Sequence, residues 1–358
     1  MYDNNYINRI PFIDGHNDTL KKLFLLNENV YNSNGKSHID ILKAKKAIFK
    51  GGFFAILAVA EKLEERKSGY GLHIVENGWS VDYPRALNQE YAQRFTDDVL
   101  EYLIKETKKF HDLKIIKSYK ELEKNIFTNN LSVILHFEGA EAIKSDLSNL
   151  EDYYRKGLRS LGLVWSRAND FGYGVPFRFP SDSNIGEGLT LAGKELIKKC
   201  NDMGILIDLA HINEKGFFDA VRLSKAPIVV SHAGVHSICK SSTNLSDRQI
   251  DAVKDSNGNI GIIFDVLNTR PDGQYVKNSP MNIINEHIEY VINRIGIDHV
   301  SFGSDFDGGV IPDDIEDITG IPKLINCLQQ LGYSQEDIEK VCYKNWLRVI
   351  RDTWKGDN

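Results

Sequence analysis

Gly204-Ile-Leu-Ile-Asp-Leu-Ala-His211 is strand length, nearly continuous in apolar residues, and closes on an imidazole. Such a run reads as a strand buried on both faces, the environment of a parallel sheet. Seven other runs share its form. Pro11–Asp18, Phe53–Val59, Leu131–Glu138 and Ser160–Trp165 come before it; Pro227–His232, Asn259–Asp265 and His299–Asp305 come after. Helical patterns separate most of them. Leu189 to Asp202 is amphipathic, and Asn213 is a candidate N-cap for a segment through Leu223. Ser246 with Gln249 makes a capping-box pattern. Ser279-Pro280 reads as an N-cap followed by Pro at the first helical position, opening a helix through Arg294. Strand–helix alternation repeated eight times predicts an α/β fold of the closed (β/α)₈, TIM-like barrel type. An open doubly wound sheet is the alternative. It lacks its usual markers, because no G-x-G-x-x-G follows the first run and no G-x-x-x-x-G-K-[ST] occurs.

The 358 residues exceed an ordinary domain, and a barrel is the main architecture that carries so many as one unit. The chain is accordingly expected to be a single barrel domain over 1–358. Two stretches exceed the simple repeat. One is an insert at about 60–130 between the second and third strands, charged and Gly-containing from Glu61 to Tyr83. It continues as a helix from about Ala86 to Phe110, a short segment near Lys114–Lys117 and a helix from Ser118 to Ile126. The other is a Gly/Pro/Ser-rich loop at about 170–188, placed over the C-terminal mouth of a barrel. Hydrophobic residues at 42% and charged residues at 26% exclude a disordered chain. Forty-four basic against 50 acidic side chains give a formal charge of −6, which argues against nucleic acid or an anionic membrane as partner. No apolar run is long enough for a membrane span, and Met1 to Arg9 has no signal-peptide core. Four cysteines without C-x-x-C spacing suit a reducing compartment, so a cytoplasmic location is expected.

The groups that end the runs carry the chemistry. His16 and Asp18 lie two apart at the end of the first strand, hence on one face. Glu138 ends the third strand, His211 the fifth, His232 the sixth and Asp305 the eighth. In a barrel all six meet at one mouth. A lone histidine at a strand end is more often an ordinary polar residue, and His136, His236 and His287 are read that way, with His136 a candidate support behind Glu138. Asp14 and Asp307 read as loop residues, and Asp208 as either a structural carboxylate or a ligand. The regular placement of the six is what favours a metal site. Imidazole with carboxylate suits zinc without thiolates. Six groups exceed the three protein ligands of one catalytic zinc, and a carboxylate bridging two metals accounts for the surplus. No G-x-S-x-G elbow supports a serine nucleophile, and Cys239 has no nucleophile signature.

Asp14-Gly-His-Asn-Asp18, His136-Phe-Glu-Gly139, Asp208-Leu-Ala-His211, Ser231-His232 and Gly303-Ser-Asp-Phe-Asp-Gly308, in this order and spacing, resemble the membrane dipeptidase (renal dipeptidase) family, peptidase family M19, of bacterial type. The similarity runs to Lys344-Asn-Trp-Leu-Arg348. It implies a barrel related to the metal-dependent amidohydrolases and two Zn²⁺ per chain, another divalent ion being the alternative. His16 and Asp18 would bind one zinc, His211 and His232 the other, with Glu138 between them. Asp305 would be the acid/base carboxylate. The implied reaction is hydrolysis of a dipeptide, including one with a D-residue at its C-terminal position. A homodimer is a further implication, since members of that family are often dimeric.

Two substrate-binding positions depart from the renal enzyme. Trp165 stands where that enzyme has a histidine, and Thr243 where the family often has an arginine for the substrate carboxylate. Thr243 makes no bidentate charged pair; Lys240, Arg167 and Arg178 are the candidate replacements. Two other functions follow from these departures: a metal-dependent hydrolase of a non-peptide amide or lactone, and a non-catalytic metal-binding barrel.

Overall fold

Burial without a break turns the apolar runs into inner strands. All six residues of β1 (Phe12–Asn17) are buried, as are all seven of the sixth strand, Leu131–Phe137. The structure, a computed structural model, describes residues 7–61 and 71–355. In chain order its strands are β1, β2 (Phe49–Ile56), β3 (Leu72–Val75), β4 (Gly78–Val81), β5 (Leu113–Ile115) and β6 (Leu131–Phe137), then β7 (Leu158–Gly162), β8 (Arg178–Phe179), β9 (Leu206–Asp208), β10 (Ile228–Ala233), β11 (Asn259–Ile262) and β12 (Val300–Phe302).

Nine of these form one parallel sheet: eight run in the order β1-β2-β6-β7-β9-β10-β11-β12, with helices between them, and β5 pairs with β6 off this path. Ends of the path meet through an Asn17–Phe306 bridge just past β12, where the Asp305 amide donates to the His16 carbonyl at 3.0 Å and the Asp18 amide to Phe306 at 2.8 Å. The fold is thus the expected (β/α)₈ barrel, nearly closed, with its seam drawn together beside the candidate site. Inside it, β10 is crowded: a Cβ at Gly261 or at Gly303 would lie 2.0 or 1.9 Å from the Ser231 carbonyl oxygen. Only glycine permits that approach of neighbouring backbones.

The caps fall largely where expected. Asn213 accepts from the Gly216 amide, and Ser246 with Gln249 makes the capping box. Ser279 does not cap its helix, which begins at Asn282. Its hydroxyl is committed elsewhere, donating to the Val276 carbonyl and accepting from Arg270 Nη1.

The insert and the mouth loop, read from the sequence as separate stretches, share one sheet. β3 and β4 form a hairpin around Glu76-Asn77, and β4 pairs with β8 from the mouth loop in an antiparallel three-stranded sheet. Trp79 of β4, 1% exposed, stacks on Phe179 with ring centroids 6.4 Å apart. This small sheet roofs the mouth, and Val81 and Phe177 reach the cavity beneath. Residues 62–70 of the insert lie outside the described residues.

Candidate metal centre

Parallel strands all end at one rim, so residues at or just past their C-terminal ends converge. β1 contributes His16 and, one residue past its end, Asp18; Glu138 follows β6 directly; His211 lies three residues past β9; His232 belongs to β10; and Asp305 lies three residues past β12. Glu138 sits between the others. Its Oε1 is 3.0 Å from His211 Nε2 and 3.8 Å from His232 Nε2, and its Oε2 is 3.6 Å from His16 Nε2. Donor atoms of His16, Asp18 and Glu138 lie within 4.8 Å of one another, as do those of Glu138, His211 and His232, and those of His16, His232 and Asp305. His211 and Asp305 both hold left-handed backbone, φ 63° and 58°. That conformation is costly for a residue with a Cβ and recurs at functional positions.

The free atoms of this cluster fit divalent cations. His16 Nδ1 and Nε2, Asp18 Oδ1 and Glu138 Oε2 are buried without a hydrogen-bond partner. Such groups are costly to bury unless something else pairs with them. His211 Nε2 and His232 Nε2 face each other at 2.8 Å. Asp208 explains why the second of these carries a lone pair. Its Oδ1 accepts from the amides of Ser231 (2.8 Å) and Ala210 (3.1 Å), and its Oδ2 accepts the Ser231 hydroxyl proton (2.5 Å). With its proton spent, Ser231 Oγ can only accept from His232 Nδ1 at 2.8 Å, leaving Nε2 bare toward the cluster. Ser166 Oγ lies 3.0 Å from His211 Nδ1 in the corresponding place.

Charge is concentrated here. Burial alone would lower the His16 imidazole, but the carboxylates of Glu138, Asp305 and Asp18 outweigh it and lift it to about 9. Burial works against the Glu138 carboxylate, yet His16 and His211 hold it well below the usual range. Burial lowers His232 strongly, and His16 and His211 reinforce this. Asp305 is pushed well above a normal carboxylate by burial, with Asp18, Asp265 and Glu138 adding to the push. The proton on His16 stands where a cation's charge would serve the same carboxylates.

A cavity of about 360 Å³ opens over the cluster, within the size range of small-molecule sites. Trp165 and Thr243 both line it. The Trp165 ring is 6.3 Å from that of His211, and Thr243 Oγ1 accepts from Asn268 Nδ2 at 2.6 Å. Lys240, Arg167 and Arg178 are absent from its walls. Arg167 is fully buried, its Nε on Glu141 Oε1 at 2.7 Å, while Lys240 and Arg178 are exposed. Two charged groups not singled out in the sequence do line it, Lys21 and Asp265. Lys21 Nζ lies 2.5 Å from Asp18 Oδ2; it follows the strand within a helix and carries no sequence signal. Asp265 ends its apolar run as the six grouped residues end theirs, and that was a signal. His136 lies behind Glu138, with Nδ1 2.9 Å from Ser160 Oγ and Nε2 3.5 Å from Asp208 Oδ2.

The sequence profile of Membrane dipeptidase (Peptidase family M19) matches residues 3–357. This chain belongs to peptidase family M19 and is a metallodipeptidase of that family. The M19 assignment agrees with solved structures. A metallo peptidase from Rhodobacter sphaeroides, bound to a phosphinate mimic of the dipeptide L-Ala-D-Ala, superposes with a TM-score of 0.91 at 36% identity, covering 97% of this chain and all of the other. The M19 dipeptidase AC gives 0.89 at 36% identity over the same shares. A protein of the pqqA 5′ region of Klebsiella pneumoniae is 39% identical over 243 residues, 68% of this M19 chain and 90% of its own length. Among the described residues no helix is long and apolar enough to cross a membrane.

Proposed function

We propose that this chain hydrolyses the amide bond of dipeptides using two zinc ions. The observation that carries the reading is the pair of donor triads that share Glu138, with His16 Nε2, Asp18 Oδ1 and Glu138 Oε2 buried without a hydrogen-bond partner. His16, Asp18 and Glu138 would hold one ion, and Glu138, His211 and His232 the other. The chemistry a cation pair supplies when bound is ionisation of a water near neutral pH and polarisation of the scissile carbonyl. The chain's own groups do the rest. Asp305, beside this cluster, takes the proton from the attacking water and returns it to the leaving amine. Ser231 and Asp208 keep the Nε2 lone pair of His232 aimed inward. Trp165 and Phe177 give the substrate an apolar wall, and the roof of β3, β4 and β8 limits the access of water. Acceptance of a D-residue at the leaving position is part of the proposal, supported by the L-Ala-D-Ala mimic held by the Rhodobacter sphaeroides relative.

Protein purified without chelator should contain about two zinc equivalents per chain, and chelation should abolish turnover. The Asp305→Asn variant should keep its metal and its fold and lose roughly 10²- to 10⁴-fold in kcat, read by metal analysis beside a dipeptide assay. Folded protein free of metal, or unimpaired Asp305→Asn, contradicts the reading.

One observation favours a second reading, hydrolysis of a lactone or non-peptide amide. The cavity wall at Thr243 and Asn268 presents neutral groups where a dipeptide's carboxylate would meet a cation. A lactone cleaved by protein that cleaves no L,L- or L,D-dipeptide would select it.

A further inference from the structure

Of the ionisable side chains lining the cavity, Asp18, Glu138, His211 and His232 belong to the proposed metal set, Asp305 to proton transfer, and Lys21 to its pair with Asp18. Asp265 remains. It is a carboxylate, 7% exposed, just beyond the end of β11. Its orientation is fixed, because Oδ1 accepts from the amides of Leu267 at 3.3 Å and Val310 at 3.0 Å. Among the described residues no Lys, Arg or His pairs with it. Gly309 separates it from Asp305: a Cβ there would lie 2.7 Å from Asp265 Cβ and 2.9 Å from Asp305 Oδ2. A residue without a side chain thus lets two carboxylates crowd one corner of a mostly buried cavity. Asp265 faces the cavity as a carboxylate held by backbone amides and without a cationic side chain of its own, so a ligand's cation can pair with it there.

We infer that Asp265 is the specificity residue of this site and that it binds an ammonium group of the substrate. The inference rests on the dipeptidase reading and narrows its substrate class to dipeptides carrying a cation within reach of the Asp265 corner. A charge-assisted hydrogen bond to a held carboxylate rewards the correct ligand. A neutral isostere leaves the carboxylate dehydrated and unpaired, so it is rejected more strongly than a missing contact alone implies. The ammonium has two sources in a dipeptide, the free N-terminus and a basic side chain, and one panel separates them.

The panel sets a free dipeptide against its N-acetyl form, and Lys against norleucine at each position. Each is assayed by kcat and KM with zinc-loaded wild type, Asp265→Asn and Asp265→Glu, with metal content and circular dichroism as checks on fold. In wild type, at least one cationic member should exceed its neutral isostere by roughly ten- to hundredfold in kcat/KM, mainly through KM. Asp265→Asn should lose most of that preference, and Asp265→Glu should recover part of it. The pair that loses it names the source. Wild type indifferent to the cation in every pair overturns the inference, and so does an unchanged preference in Asp265→Asn. Failure of the underlying reading looks different: zinc-loaded wild type then cleaves no member of the panel.

Discussion

At the scale of single residues, the cluster depends on groups buried behind it. Ser231 passes the fixed position of Asp208 to His232 through one hydroxyl proton. Ser231→Ala should therefore weaken retention of the metal by about 10- to 100-fold, measured by chelator competition, with the secondary structure intact. Such a relay is invisible in sequence, because Asp208 and Ser231 stand 23 residues apart and meet only when β9 and β10 pair. The six grouped donors were legible for the opposite reason. Each closes an apolar run, so the pattern that predicts a strand also predicts which end of it carries a polar group. Asp265 obeys the same rule, yet a seventh member had no place in a two-metal ligand count. Its lack of a cationic partner is a fact of three-dimensional packing. None of Lys240, Arg167 and Arg178, the expected replacements for the absent arginine, lines the cavity. Arg167 turns instead toward Glu141 and the Ala58 carbonyl.

At the scale of elements, the barrel strands were readable because burial on both faces leaves little but apolar residues in them. The roof was not, since β3 is largely exposed, and β8, which completes the sheet against β4, is two residues long and comes about a hundred positions later. Asn77-Gly78 was the one local cue to the hairpin. Trp79 and Phe179 form a small apolar cluster with Cys239, apart from the main core. Trp79→Ala removes a buried ring, a change worth about 3–5 kcal/mol where packing cannot collapse. Because that cluster belongs to the roof, the loss should fall there. KM for the substrate should rise more than kcat falls, while the urea unfolding midpoint of the barrel moves little. A barrel that unfolds with the roof would show instead that the two are one cooperative unit.

For the whole molecule, His287 joins three distant segments. Its Nδ1 accepts from the Val235 amide at 2.8 Å and its Nε2 donates to the Thr269 carbonyl at 3.0 Å, from a helix packed outside the barrel. Burial lowers its imidazole from 6.5 to about 4. The folded chain then holds it neutral while the unfolded chain takes up a proton below pH 6.5. Stability from this group is present above that value and is lost as pH falls toward 4. Between pH 7 and 5 it should cost wild type about 2 kcal/mol more than His287→Gln in urea unfolding. Equal slopes for the two proteins would remove His287 from the account. The left-handed backbone at His211 and Asp305 has a consequence for descent. Glycine adopts that geometry freely, so a lineage screened for heat tolerance alone would be rewarded for discarding the very side chains to which metal binding and proton transfer are assigned by the proposal. Durability and usefulness pull in opposite directions at those two codons, and sustained demand for turnover is what keeps an uncomfortable aspartate and histidine in place.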